Sequence, residues 1–104
     1  MTTLKVPGCR KSLPVESILW IQGDGNYVRI HFLSRRPFMA TRTLKWFEDQ
    51  LPGFARLHKS TLINPVYVSK LYVIGSRDVR VVLRTGLTFP VSRRRIVSVV
   101  EQFG

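Results

Sequence analysis

The sequence predicts a mostly β fold assembled from hairpins, with one short central helix and one C-terminal helix. Three observations carry that reading. Most apolar residues stand in short runs or alternate strictly with polar ones, the period of a strand with one buried face. Clusters of Gly, Asp and Asn separate those runs at hairpin spacing. Only residues 43–51 and 92–103 switch to helical period.

From the N-terminus, Thr3-Leu4-Lys5-Val6 reads as a short edge strand broken by Pro7-Gly8. Residues 1–14 are thus an N-terminal extension or edge strand of one domain spanning 1–104. Ile18-Leu19-Trp20-Ile21 is a compact apolar run, expected as a buried strand. Gly23-Asp24-Gly25-Asn26 is turn chemistry, with Asp24 expected to bond backbone amides. Tyr27 to Phe32 alternates, which aims Val28, Ile30 and Phe32 at the core and Tyr27, Arg29 and His31 at the other face. A further extended piece falls near Arg36 to Ala40. Leu44, Phe47 and Leu51 then fall on one helical face, with Thr41 or Thr43 as cap and Pro52-Gly53 as stop. Val66 to Ile74, Val79 to Leu83 and Leu87 to Val91 read as strands joined by turns. Pro90 lacks an amide donor, which places the last of them at an edge. Ile96, Val99, Val100 and Phe103 share a helical face, with Ser92 as the expected N-cap.

A chain of 104 residues is long enough for one core, and 44% hydrophobic content argues against disorder. No apolar run approaches the roughly 20 residues that span a bilayer, and no apolar signal core stands at the N-terminus, so cytoplasmic residence is expected. Cys9 is the only cysteine, which excludes an internal disulfide and a multi-Cys metal cage. His31 and His58 stand in no metal motif, and six scattered acids offer no general acid/base pair. No cofactor, no metal and no enzymatic activity are expected. Trp20 and Trp46 read as core residues.

Charge is the informative quantity. Seventeen Lys and Arg against six Asp and Glu give +11 and a pI near 11.2, the footprint of a nucleic-acid binder. An anionic membrane surface or an acidic protein are the other polyanions that fit. Arginine outnumbers lysine twelve to five, and its planar fork suits phosphate and guanine edges. Two places concentrate donors. Arg56, His58, Lys59 and Ser60 lie within five positions without a carboxylate. Arg93, Arg94 and Arg95 crowd the expected first turn of the last helix, where the macrodipole prefers anions. An external phosphate or base edge would reconcile that crowding.

These pieces together resemble the LytTR DNA-binding domain: Ile18 to Gln22 with Gly23-Asp24-Gly25-Asn26-Tyr27-Val28; Thr43-Leu44 ahead of a short helix; Phe54-Ala55-Arg56-Leu57-His58-Lys59-Ser60 with Leu62-Ile63-Asn64; and Pro90-Val91-Ser92-Arg93-Arg94. The resemblance covers residues 15 to 103. It implies small β-sheets stacked along the chain, and a bacterial transcription regulator that inserts loops, not a recognition helix, into successive major grooves. Carried over by position, the reading loops are Gly23 to Tyr27, His58 to Ser60 and Ser92 to Arg94. Base contacts are then expected from Asn26, Lys59 and Arg93, and backbone contacts from Arg56, His58, Ser60 and Arg94, with Asn64 a structural turn residue. The implied partner is double-stranded DNA, as promoter repeats, with a homodimer on the DNA as one arrangement and no membrane. Many members carry an N-terminal receiver domain for which this chain has no room, which leaves a stand-alone regulator or an excised output domain. The alternative is a sequence-independent RNA- or ribosome-associated protein. RNA binders commonly stack bases on exposed aromatics, and here only Tyr27 is an evident exposed aromatic.

Overall fold

A computed structural model describes residues 2–104. All strand pairings are antiparallel and fall into three sheets. A two-stranded ribbon pairs β1 (Thr3–Leu4) with β2 (Leu13–Pro14). The central sheet is built from β3 (Ile18–Asp24), β4 (Tyr27–Phe32), β5 (Phe38–Ala40), β6 (Ala55–His58) and β7 (Thr61–Ile63), in the order β5-β4-β3-β7-β6. The third sheet holds β8 (Val68–Gly75), β9 (Asp78–Leu83) and β10 (Thr88–Pro90), with β10 and its Pro90 at an edge. Two helices, α1 (Leu44–Gln50) and α2 (Ile96–Phe103), complete the fold. Among the described residues no helix is long and apolar enough to cross a membrane.

The central sheet is covered on both faces, and strand alternation sorts its side chains into two cores. Ile18, Ile21, Val28, Ile30, Phe32 and Leu62 pack with the ribbon and α1 on one side. Leu19, Ala55, Leu57 and Ile63 pack with the third sheet and α2 on the other. Each fully buried Ile or Leu contributes about 1.5–3 kcal/mol relative to exposure. The stack of layers gives a molecule of 44 × 25 × 21 Å. The expected facing of Val28, Ile30 and Phe32 holds: their relative exposures are 0%, 0% and 7%. Both tryptophans are half-buried at the margins of the cores, not within them.

Seven-residue α1 is too short to persist alone. It is held by Leu44, Phe47 and Leu51, all buried, and by Thr43, whose Oγ1 accepts from the Trp46 amide at 3.2 Å. The C-terminal helix departs from expectation. Ser92 makes no side-chain cap bond, and residues Arg93–Arg95 form a 3-10 turn, so α2 begins at Ile96. Arg93 and Arg94 therefore lie ahead of the α-helical amides, which relieves the expected clash with the dipole. Asn64, 3% exposed, is the structural residue anticipated. Its Nδ2 donates to the Ile18 carbonyl at 2.9 Å and its Oδ1 accepts from the Val66 amide at 3.2 Å.

Candidate nucleic-acid interface

The first loop is a two-residue hairpin turn, since Asp24 pairs with Tyr27 across it. Gly25 adopts φ +65° and Asn26 keeps a negative φ, the pattern of a II′ turn with glycine leading. Asn26 is exposed. Asp24 secures the turn differently from expectation: its Oδ2 accepts from the Tyr27 hydroxyl at 2.9 Å. That bond and the adjacent Asp24 charge raise the Tyr27 pKa above its ordinary value.

The second loop is also a hairpin turn, Lys59-Ser60, closed between His58 and Thr61. Two-residue turns normally use positive φ, but no residue other than glycine has it here. Arg56 supplies the missing restraint. Its Nε donates to the His58 carbonyl at 2.7 Å, Nη2 to the Lys59 carbonyl at 2.8 Å, and Nη1 to Glu48 Oε1 at 2.7 Å. One planar fork thus grips the turn and ties it to α1. Arg56, expected at a phosphate, has only 13% of its side chain exposed, and all three of its nitrogens are engaged within the protein. His58 and Ser60 are half-buried. His58 Nδ1 accepts from the Ser60 amide at 3.3 Å and lies 3.1 Å from Ser60 Oγ. Neutral His58 therefore carries its proton on Nε2 and keeps that donor. Lys59 is exposed at the tip.

The third loop is the 3-10 turn Arg93–Arg95, with Arg93 and Arg94 exposed. Burial, then the Arg56 cation, lower the Arg95 pKa from its ordinary value, against an opposing pull from Glu48; Arg95 stays charged.

Backbone bonds set the three loops in a row. The Gly23 amide donates to the Ser60 carbonyl at 2.9 Å, and the Ser92 amide to the Leu57 carbonyl at 2.8 Å. The first two loops and the start of α1 enclose a cleft of about 510 Å3 that includes Gly23, Gly25, Lys45, Lys59 and Ser60. Asn26 makes no side-chain hydrogen bond to Lys59 or Arg93, so the loops are joined through backbone, not through their tips. Lys59, Arg93 and Arg94 enter no ion pair among the described residues. Sequence reasoning missed Glu48, which anchors Arg56. Its position four residues after Leu44, beside the buried face of α1, was the available signal. Among the described residues no group of His, Cys, Asp and Glu could hold a metal.

The chain is similar to known proteins. A family model described as the LytTr DNA-binding domain matches residues 9–104. Transcriptional regulatory protein BtsR of Salmonella typhi and of Escherichia coli are each 34% identical over 62 residues, 60% of this chain and 26% of theirs. The chain thus spans about a quarter of the length of these curated relatives. The solved LytTr DNA-binding domain of a Bacillus cereus protein superposes with TM-score 0.79 over 99% of this chain and 95% of that one, at 18% identity.

Proposed function

The chain belongs to the LytTr DNA-binding domain family, and from that membership we propose that it binds double-stranded DNA sequence-specifically, as the output domain of a bacterial transcription regulator, by inserting three loops into successive major grooves. The observation that carries the reading is the row of three tethered loops, in which the exposed Lys59, Arg93 and Arg94 enter no ion pair among the described residues. Asn26 is suited to adenine through its amide, and Arg93 to guanine through its fork. Lys59 reads from the held tip. Arg94 neutralises a phosphate, while the His58 and Ser60 donors serve backbone oxygens. Arg56 acts one step back, by fixing the Lys59-Ser60 turn. The long axis of 44 Å exceeds the ~34 Å repeat of a DNA turn, so a molecule lying along the duplex reaches more than one groove segment.

Equilibrium binding tests this against RNA and against diffuse charge attraction. Duplex DNA should bind tighter than duplex RNA of the same sequence, with affinity falling steeply as salt rises. Arg94→Ala should weaken cognate and random DNA alike and flatten the salt slope by about one unit. Equal affinity for both nucleic acids would favour the RNA- or ribosome-associated reading.

A further inference from the structure

A second cleft, of about 530 Å3, lies at the end of the β3–β4 hairpin away from Gly25-Asn26. The segment before β2 and the β4–β5 connection form its walls. Its floor is apolar: Leu13 and Phe32 are buried and Phe38 is half-buried. Its rim is cationic, with Arg10, Lys11, Arg35 and Arg36 all exposed. No carboxylate lines it, and none of the four cations enters an ion pair among the described residues. The Arg35 guanidinium sits 4.1 Å over the Phe32 ring, which holds one cation against the floor. β4 runs six residues, from Tyr27 at the reading turn to Phe32 at this cleft; at strand rise the two ends are about 17 Å apart. An occupant here leaves the three loops clear.

We propose that this cleft binds a small amphipathic organic anion: an aromatic or acyl group bearing one carboxylate, sulfonate or phosphate. The volume lies in the ~300–1,000 Å3 range of small-molecule sites. The rim selects negative charge, and the floor selects an apolar body. A bare phosphate, free or in a duplex backbone, satisfies the rim and leaves the apolar floor wet.

The probe is naphthoate, titrated into the isotope-labelled chain and followed by amide chemical shifts, with naphthamide and acetate as controls. Saturable shifts confined to residues 9–13 and 32–38 are expected, with naphthoate at least about tenfold tighter than either control, tenfold being 1.4 kcal/mol. Arg10→Gln with Arg36→Gln should weaken it about tenfold while the remaining spectrum stays unchanged. A saturating random duplex should leave naphthoate bound. Equal binding of naphthamide would show an apolar hollow with no anion selectivity. Equal binding of acetate, or comparable shifts at Lys59, Arg93 and Arg94, would show diffuse charge attraction. Displacement by the duplex would assign the cleft to the DNA surface. Each of these three outcomes overturns the proposal, and the wild-type pattern decides it even if the double variant fails to fold.

Discussion

Arg56 and Lys59 are three positions apart and carry the same charge, yet the structure gives them opposite surroundings. Arg56 is turned inward with three hydrogen bonds, whereas Lys59 is exposed. Arg56→Ala should lower stability by about 1.5–3 kcal/mol, because it strips charge-assisted bonds from two carbonyls and Glu48. That is a melting shift of roughly 4–8 °C per kcal/mol. Arg56→Lys should restore little, since an ammonium lacks the fork. An unchanged melting temperature in Arg56→Ala would contradict the internal role. Lys59→Ala should hardly affect melting, yet cost about 1–3 kcal/mol on cognate DNA and less on random DNA. A melting loss without a specificity change would make Lys59 structural. Arg93→Lys keeps the charge but loses bidentate geometry, so it should relax one base preference and spare nonspecific affinity.

His31 adds a pH dependence. Its ring stacks on Trp20 with centroids 4.4 Å apart and planes 4° from parallel. Burial, then the nearby Arg29 charge, hold its pKa below the ordinary 6.5. As pH falls below that value the unfolded chain takes up the proton before the folded one, so His31 removes stability on acidification and none above it. Melting temperature should drop between about pH 7.5 and about pH 5.5, and drop less in His31→Phe. Parallel profiles in both proteins would contradict this.

At the level of elements, the two hairpin turns depend on what lies beneath them. A Cβ added at Gly23 would stand 3.1 Å from both Cβ and Cδ2 of Leu44, and Leu44 is buried at the start of α1 with little room to yield. Gly23→Ala should therefore destabilise by about 1–3 kcal/mol. Combined with Leu44→Ala, the total loss in urea denaturation should be smaller than the sum of the two singles. Additive losses would show that the hairpin and α1 are not in tight contact. Much at this scale was legible. Thr43, the Leu44/Phe47/Leu51 face and Pro52-Gly53 mark α1 from residues alone, and Gly25-Asn26 marks its turn. The Lys59-Ser60 turn was not, because its restraint comes from Arg56 and not from a residue with positive φ. The start of α2 is not legible either: Ser92 looks like a cap, but its side chain makes no cap bond and the turn after it is 3-10, so the α-helix begins only at Ile96.

Over the whole molecule, the stack of small sheets follows the family resemblance, while the strand order does not follow from local pattern. β3 is central because it pairs with both β4 and the distant β7, a pairing that leaves no mark on nearby residues. The same holds for the interface. The motif points to three loops, but their tethering through Gly23–Ser60 and Ser92–Leu57 arises from contacts far apart in sequence, and the inward turn of Arg56 from nearer bonds to His58, Lys59 and Glu48 that no single residue announces. The central claim is that this row of loops reads duplex sequence. Selection from a random double-stranded library tests it most directly. The expected result is an enriched motif made of short preferred blocks separated by about one helical turn, 10–10.5 base pairs. Flat enrichment, with every duplex retained alike, would contradict it.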